Sequence, residues 1–235
     1  RVIEGMYSIQ KDYVKSNRLP GNDRKAQAVA QEAYERMFTF KWTPPGRGLF
    51  QMGVPFVMDK NNSASLQNCA MVSTGDMDRN DPGYTFNWVM DALMLGIGVG
   101  WDTKAKDKNF EVYSPKQGDV ETWEIPDTRE GWAESTQRLI NTYLKPNQKN
   151  IQFDYSKIRG KGEPIKGFGG TASGPQPLID MHNKMSEILS KEAGNHVGSR
   201  LIADLMNLIG MCVVAGNVRR SAEIGLGQPD DEDFI

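Results

Sequence analysis

The sequence predicts an α/β fold with parallel strands. From Leu66 onward, short apolar segments of strand length alternate with segments whose apolar residues recur at helical spacing, and this alternation is typical of strand–helix–strand units. The chain has 235 residues, of which 38% are hydrophobic and 25% are charged. This is the composition of a folded protein with one sizeable core or two small ones.

The first part of the chain predicts a helix and an irregular loop. Residues 1 to 24 show no clear apolar period, and Leu19 to Asn22 is a turn signal before a helix from about Asp23 to Phe38. Lys41 to Gly48 contains two adjacent prolines, which restrict φ and push the preceding residue into an extended conformation. We therefore expect a helical N-terminal segment with a proline-rich loop over residues 1–48.

The first strand–helix–strand unit follows. Leu66 to Thr74 is predicted as a buried strand, and Asp81 as the N-cap of a helix with Pro82 at its first position. Gly96 to Trp101 is predicted as a second strand, whose glycines let another backbone or a ligand approach closely. The apolar face of the helix is formed by Phe86, Val89, Met90, Leu93 and Met94.

The later segments continue the alternation. Asp127 to Glu130 has the spacing of a capping box and opens a helix, and Ile151 to Tyr155 is the next strand. The polar loop from Ser156 to Gln176 contains six glycines and is too long for a simple connector, which indicates a functional role. Two helices and a strand are expected after it, at about Pro177 to Ala193, Ser199 to Val214 and Ser221 to Leu226.

Composition excludes several classes of protein. A net charge of −2 and a pI near 5.8 provide no general attraction to nucleic acid or anionic lipid, so a bound phosphate needs a local cradle. The longest apolar run, from Leu205 to Val214, is too short to cross a bilayer, and no signal-peptide pattern is present, so the cytoplasm is the expected compartment. The two cysteines are not spaced for a disulfide scaffold or a zinc site, and no metal site is expected.

The ends of the sequence suggest a piece of a longer protein. The chain begins with Arg1 rather than Met, and its acidic final segment, Pro229 to Ile235, ends on an apolar pair without completing a helix or strand. We therefore expect a chain that is truncated, split or interrupted within a longer one.

Five segments are distinctive in combination. They are Asn68 to Thr74, the helix of residues 83 to 95 with Gly96 to Gly100, Pro126 to Trp132, Gly167 to Pro175, and Val213 to Glu223. In this order they resemble the monomeric adenosylcobalamin-dependent (class II) ribonucleoside-triphosphate reductases, over roughly residues 25 to 235. Each segment alone is a weak signal, whereas five ordered matches are specific.

The resemblance implies a fold and a reaction. The fold is the first half of a ten-stranded α/β barrel made of two five-stranded halves, over residues 49–235. The reaction replaces the ribose 2′-hydroxyl with hydrogen: a thiyl radical abstracts the 3′-hydrogen, water leaves from C2′, and a cysteine pair donates two electrons. The implied cofactor is adenosylcobalamin, used by homolysis of its cobalt–carbon bond and bound mostly outside this chain.

Cys69 is the candidate catalytic residue. By composition alone, a lone cysteine in an apolar strand is more often a small buried hydrophobe. The resemblance instead implies one member of the reducing thiol pair; its partner, the radical cysteine and a C-terminal reducing pair lie outside this chain. Cys212 is expected to be a core residue, because it lies on the apolar face of the last helix. The chain alone is expected to be inactive.

The resemblance also implies residues that contact the substrate. The backbone of Leu95 and Gly96 would lie against the ribose, although close packing between strands accounts for the glycines as well. A dinucleotide fingerprint is excluded for Gly96 to Gly100, because no helix and acidic residue follow at the required spacing. The candidates for substrate binding are Asn68, Leu95, Gly96, Arg47 and Gly48.

The glycine-rich loop resembles the region between the substrate base and the specificity effector in these enzymes. Its glycines permit backbone rearrangement, and the hydroxyls of Thr171 and Ser173 could form hydrogen bonds with a phosphate or a base. Asp76 matches an effector-contacting acid by position, with an exposed turn residue as the alternative. The effector candidates are Asp76, Gly169, Gly170, Thr171 and Ser173. Adjacent Arg219 and Arg220 are candidates for a triphosphate, with solvated or ion-paired side chains as the alternative.

The implied partners are a ribonucleoside di- or triphosphate, a deoxynucleotide effector, the complementary C-terminal part of the reductase and a thioredoxin-type reductant. Two alternatives stay open: a reductase whose radical comes from a metal-cofactor subunit, and a non-catalytic half that acts only by associating with a complementary chain.

One departure from the pattern of the monomeric enzymes is expected as well. Thr103 leads through a short Lys-rich turn to Phe110 and the Pro126 segment, without the long insertion that builds an effector site within one chain, so effector control would be weak or need a second subunit.

Overall fold

The computed structural model describes residues 1–60, 62–165, 170–215 and 221–234. The chain divides into two compact units, Arg1–Asn68 and Cys69–Ile235. This division comes later than the boundary expected after residue 48, because the short helices that follow residue 48 pack within the first unit. Across the described ranges, no helix combines the length and the apolar character needed to span a membrane.

The first unit is helical. Its first helix is not predicted from the sequence, although its apolar residues recur at helical spacing, because no capping side chain marks its start. The second helix is confirmed: the Asn22 side chain caps it by accepting a hydrogen bond from the Lys25 amide at 2.9 Å. The third begins directly after Pro45, inside the loop expected from the prolines. The helices are α1 (Val2–Ser16), α2 (Asp23–Phe38), α3 (Gly46–Gln51) and α4 (Pro55–Met58).

Backbone contacts hold α1 against the segment that follows α3. The Arg1 guanidinium donates hydrogen bonds to the carbonyls of Leu49 and Met52. Gly5 permits the close approach, because a Cβ placed on it would lie 2.5 Å from the Cα of Gly53. The first unit is thus stabilised by main-chain contacts at its N-terminus rather than by a large apolar core.

The second unit contains two parallel sheets. In the described residues one has three strands in the order β1-β2-β5, and the other pairs β3 with β4. The parallel α/β architecture predicted from the sequence is therefore confirmed. In chain order the elements are β1 (Cys69–Val72), α5 (Gly83–Met94), β2 (Gly98–Asp102), β3 (Lys116–Glu124), α6 (Arg129–Leu144), β4 (Lys149–Asp154), α7 (Gln176–Lys191), α8 (Ser199–Val214) and β5 (Glu223–Leu226).

Two strand predictions differ from the structure. The expected buried strand from Leu66 to Thr74 is reduced to the four residues of β1, which lies at the edge of its sheet with one face exposed. β3 is absent from the sequence prediction, because its residues are mostly polar and do not form an apolar run. Its pairing with β4 supplies the backbone hydrogen bonds that the pattern does not reveal.

Two predicted helix caps are also wrong. Asp81 does not cap α5; its carboxylate accepts hydrogen bonds of 2.7 Å from Gln137 and from Asn141 on α6, while α5 begins after Pro82. Thr128, not Asp127, caps α6, by accepting a hydrogen bond from the Gly131 amide at 2.9 Å. The Asp127 carboxylate instead accepts a hydrogen bond from Arg159. In both cases a donor that is distant in sequence binds the aspartate.

Helices α5 to α8 provide the core of the second unit. α5 packs closely on α6 at Gly83, where a Cβ would lie 2.3 Å from the Gln137 carbonyl oxygen. The interior is filled by aliphatic and methionine side chains at helical spacing, which stabilise the sheet from one side. The largest fully buried side chains on these helices are Phe86, Met90, Leu93, Ile140, Leu178, Met185, Leu189, Ile202, Leu205, Met206 and Ile209.

Candidate functional site

Cys69 lies on an open face of the three-stranded sheet. It is the first residue of β1 and is exposed in the described chain, which corrects the expectation of a buried strand. The strand register pairs Cys69 with Gly98 and Met71 with Gly100. Because side chains alternate between the two faces of a strand, these residues lie on the same face. The cysteine is therefore accessible to a molecule on that face.

The same face is apolar beyond the cysteine. Gly100 pairs with Ile224 on β5, and Met71 and Ile224 are 57% and 61% exposed. The opposite face is covered, since Val99 and Trp101 are almost fully buried. The sheet thus has one face packed against helices and one face that carries a thiol and exposed apolar side chains.

The middle of the open face carries no side chain. Gly98, opposite Cys69, is half-buried, whereas Gly100 is buried between the side chains of Met71 and Ile224. A Cβ on Gly100 would meet these two side chains at 3.5 to 3.8 Å, which is ordinary contact, so packing does not require glycine there. The absence of side chains leaves room for a ligand beside Cys69.

Gly96 has a structural role. It adopts φ of +81°, its amide binds the Leu93 carbonyl, and the Ile97 amide binds the Ala92 carbonyl. These two bonds form the Schellman motif that ends α5, and the left-handed conformation favours glycine. Leu95 is 3% exposed and Gly96 is buried as well, so neither residue presents a free surface in the described chain.

A buried network fixes the carboxyl ends of β1 and β2. The Asp102 carboxylate accepts hydrogen bonds from Ser73 Oγ at 2.7 Å, the Thr74 amide at 2.8 Å and Thr74 Oγ1 at 3.0 Å. Burial raises the pKa of Asp102, but these bonds and one from the Lys104 amide outweigh it, so the pKa lies below its usual range. The network places the turn that carries Asp76, whose side chain is exposed. The sequence gives no signal for Asp102 beyond its position at a strand end.

The glycine-rich loop is a short antiparallel hairpin in its described parts. The Gly162 amide binds the Ala172 carbonyl at 2.9 Å, the Ala172 amide binds the Glu163 carbonyl at 2.7 Å, and the Ile165 amide binds the Gly170 carbonyl at 3.0 Å. Gly170 has φ of +83°. Among the candidate residues, Thr171 is exposed and pairs with Pro164, while Ser173 is half-buried.

The remaining candidates lie elsewhere. Arg47, Gly48 and Asn68 belong to the first unit, where the Arg47 guanidinium donates to the Ser65 carbonyl at 3.0 Å. Gly169, Arg219 and Arg220 lie outside the described residues. Within the described ranges, no group of three or more His, Cys, Asp or Glu side chains could hold a metal ion.

Cys212 is confirmed as a core residue. It is 4% exposed on α8. Burial, with a smaller contribution from the Asp180 carboxylate, raises the pKa of its thiol to about 12. A thiol in this environment is inert, so Cys212 is not the redox partner of Cys69.

A polar cavity of about 620 Å³ lies between α5 and α6. Its walls are charged and amide side chains, several of which bind one another: Arg129 donates to Asp91 at 3.1 Å and Asn87 donates to Gln137 at 2.6 Å. The sequence carries no signal for this cavity, because its polar residues resemble an ordinary solvated helix face. The lining residues are Asn80, Asp81, Asn87, Asp91, Arg129, Glu130, Glu134, Gln137, Arg138, Asn141 and Lys145.

Two family models match the chain. The model described as the B12-dependent ribonucleotide reductase insertion domain matches residues 99–189, and the ribonucleotide reductase alpha domain matches residues 1–54. The first match corrects the expectation that the chain lacks the insertion after the second strand. The structure assigns β3, α6, β4 and most of α7 to that region.

Relatives and a solved structure agree with these models. The chain is 45% identical to a probable adenosylcobalamin-dependent ribonucleoside-triphosphate reductase from Dictyostelium discoideum and 42% identical to such a reductase from Euglena gracilis. Each match covers 100% of this chain but only 33% and 32% of the relative, so the chain spans about a third of their length.

The crystal structure of a B12-dependent (class II) ribonucleotide reductase superposes on the whole chain. The TM-score is 0.82 at 28% sequence identity, and the match covers 39% of that structure. The mixed helices and parallel sheet thus match the class II ribonucleotide reductase fold, with a partial α/β barrel. With the two family models and the relatives, this likeness shows that the chain belongs to the B12-dependent ribonucleotide reductase family.

Proposed function

We propose that this chain is part of an adenosylcobalamin-dependent ribonucleoside-triphosphate reductase, which converts ribonucleotides to 2′-deoxyribonucleotides. The observation that carries the proposal is the position of Cys69: it lies exposed on the open sheet face, opposite Gly98, which has no side chain, in a chain of this family. Reduction of the ribose of a nucleotide requires an accessible surface of this kind next to a thiol. The remaining two-thirds of the reductase completes the barrel over this face.

The reducing step uses two thiols. Replacement of the 2′-hydroxyl by hydrogen consumes two electrons and two protons and releases water, and a pair of thiols supplies both by closing to a disulfide. Cys69 contributes one sulfur. The second sulfur and the radical cysteine come from the complementary part of the reductase, because the other cysteine of this chain is buried.

Contacts with the substrate are proposed for the residues that the family resemblance indicates. The backbone of Leu95 and Gly96 would approach the ribose; both residues are buried in this chain, at the end of α5. Asn68 adjoins Cys69 in sequence, and Arg47 with Gly48 would contact the substrate phosphates. Ribonucleoside triphosphates are the favoured substrate, as the names of the relatives indicate.

Effector control is proposed for the hairpin and the turn after β1. Asp76 has an exposed carboxylate that can bind a deoxynucleotide, and Gly170, Thr171 and Ser173 belong to the hairpin that would transmit its presence. Gly169, which lies outside the described residues, is proposed for the same role from the family resemblance. Arg219 and Arg220 are proposed as phosphate ligands, because the guanidinium fork matches phosphate geometry.

Adenosylcobalamin is the proposed source of the radical, through cleavage of its cobalt–carbon bond. A corrin ring requires a broad, largely apolar surface. The cavity between α5 and α6 does not fit it, because charged and amide groups line that cavity. We assign no residue of this chain to the cobalamin and propose that it binds mostly to the complementary part. A thioredoxin-type reductant and a cytoplasmic location complete the proposal.

The test is Cys69→Ser in the reductase reconstituted with the complementary part. Deoxynucleotide formation should fall by at least about a thousandfold, because one thiol of the pair is lost, while nucleotide binding should change less than about twofold. Cys212→Ala is the matched control and should retain most of the turnover, since that thiol lies in the core. Normal turnover by Cys69→Ser would contradict the proposal.

A further inference from the structure

Arg159 connects the hairpin to the segment that opens α6. Its Nε donates a hydrogen bond to Asp127 Oδ2 at 2.7 Å, and its NH1 donates to the Pro164 carbonyl at 3.2 Å. The side chains of Arg159 and Asp127 are each 30% exposed, so the pair is partly shielded from water. A planar guanidinium with several N–H donors suits this double contact, whereas an ammonium group does not.

The two contacts join elements that are distant in sequence. Pro164 lies on the first strand of the hairpin and pairs with Thr171 on the second. Asp127 directly precedes Thr128, the N-cap of α6. Arg159 therefore links the backbone of the hairpin to the start of that helix.

The start of α6 is itself tied to α5. The Arg129 guanidinium donates to Asp91 on α5 at 3.1 Å, at the wall of the polar cavity. A continuous series of contacts thus runs from α5 through the first turn of α6 and Arg159 to the hairpin. Such a series can couple the position of the hairpin to the arrangement of the helices.

Two further side-chain contacts hold the start of the loop. The Tyr155 hydroxyl donates to His182 Nδ1 at 2.8 Å, and Lys157 pairs with Glu124 at the end of β3. Both residues precede the hairpin. Beyond them the backbone is rich in glycines with positive φ, at Gly162, Gly170 and Gly174, which fold as readily into other arrangements.

We propose that Arg159 is a positioning residue for specificity: through Asp127 and the Pro164 carbonyl it sets where the hairpin lies relative to α6. This inference rests on the proposed role of the hairpin in effector-dependent choice of substrate. Without Arg159 the hairpin strands lose their side-chain link to the helix. The effector then changes substrate preference less, while the chemistry at Cys69 continues.

The test uses the complete reductase with Arg159→Gln, Asp127→Ala and the double variant. The measured quantity is the ratio of kcat/KM for two competing ribonucleotides, with and without a deoxynucleotide effector. We expect the effector-induced change in this ratio to fall about threefold or more in each single variant. The effector-induced change in the double variant should be no smaller than in Arg159→Gln, because both substitutions break the same connection. Turnover without effector should stay within about twofold.

Lys157→Gln is the matched control, since it removes a neighbouring ion pair that does not contact the hairpin backbone. It should leave the effector response unchanged. Arg159→Lys keeps the charge and should restore the response only partly. An unchanged response in Arg159→Gln, or an equal loss in Lys157→Gln, would overturn the inference.

Hydrogen exchange separates this inference from the proposed function. In Arg159→Gln the amides of Gly162, Ile165 and Ala172 should exchange at least about threefold faster than in the unsubstituted protein or in Lys157→Gln. Unchanged exchange overturns the positioning role, whether or not the enzyme is active. If the unsubstituted reductase forms no deoxynucleotide while exchange increases as expected, the proposed function fails and the positioning role stands.

Discussion

The indole nitrogen of Trp101 donates a 3.0 Å hydrogen bond to Glu223 Oε2, and this bond joins β2 to β5 on the covered face of the sheet. Trp101 pairs in register with Gly225, and its ring lies over that glycine to reach the carboxylate two residues earlier. The segment containing Glu223 is thereby held in register with the central strand.

Two glycines on opposite faces of this sheet should differ in their tolerance of alanine. A Cβ on Gly225 would lie 2.4 Å from the Trp101 ring, whereas one on Gly100 meets its neighbours at 3.5 Å or more. Gly225→Ala should therefore lower the free energy of unfolding by about 3 kcal/mol, and Gly100→Ala by less than about 1 kcal/mol. Urea unfolding of the chain measures both. Equal losses would show that the covered face is not packed as described.

Glu223 should make the stability of the chain depend on pH. Burial raises the pKa of its carboxyl to about 7, against the lowering effect of the hydrogen bond from Trp101. The folded state then binds more protons than the unfolded state, whose carboxyl has the ordinary pKa of 4.5. The contribution of this group is fully present below about pH 4.5 and is lost as the pH rises toward 7 and above.

Glu223→Gln should remove this dependence. The amide oxygen can still accept from the indole, and no charge is buried at high pH. We expect the free energy of unfolding of the variant to exceed that of the unsubstituted chain by about 1 to 2 kcal/mol at pH 8, after allowance for partial exposure of the carboxyl. Near pH 5 the two free energies should be equal. Thermal unfolding at the two pH values measures the difference. A larger gain at pH 5 than at pH 8 would contradict the sign.

The carboxylate of Asp102 should stabilise the sheet by accepting hydrogen bonds from the turn after β1. Asp102→Ala leaves the fully buried Thr74 hydroxyl and amide without their carboxylate partner, which should cost about 2 to 4 kcal/mol. Asp107→Ala, at an exposed carboxylate in the next turn, should have little effect. Because the pKa of Asp102 is lowered on folding, its contribution is present above the ordinary value near 4 and is lost as the pH falls below it. Denaturant midpoints at pH 7 and pH 3 check both statements.

His182 should stay neutral throughout the physiological range. Burial lowers its pKa to about 3. Ser135 Oγ donates to the Trp132 carbonyl, so it accepts from His182 Nε2–H at 3.1 Å, and Nδ1 accepts from the Tyr155 hydroxyl. Nitrogen chemical shifts should show the Nε2–H tautomer without titration between pH 5 and 8. A titration near pH 6.5 would contradict burial of the ring.

His182→Phe measures the same network by stability. The substitution keeps an aromatic ring against Phe153 but leaves the buried end of the Tyr155 hydroxyl without its acceptor and removes the donor to Ser135 Oγ, at a cost of about 1 to 3 kcal/mol at pH 7. The native contribution of His182 is present above the unfolded pKa of 6.5 and declines as the pH falls toward 3, so the gap between the variants should narrow in acid. A gap that widens below pH 5 would contradict this assignment.

The helices were the most predictable part of the fold. The bounds of α2 and α8 agree with the sequence expectation, because an apolar stripe at helical spacing and a clear turn or cap appear within one short stretch. β3 was missed, since its pairing with β4 leaves no apolar pattern in its own residues, and α1 was missed because no capping side chain marks its start.

The candidate site divides in the same way. The sequence by itself determined the family, the parallel α/β architecture and Cys69 as the residue of interest, because these depend on motifs, periodicity and residue type. Only the tertiary structure decided that Cys69 is exposed, that Asp127 binds Arg159 rather than capping α6, and that Glu223 lies under Trp101. The physical reason is that the exposure of a side chain and its hydrogen-bond partner depend on groups brought close by folding, which are far away along the chain.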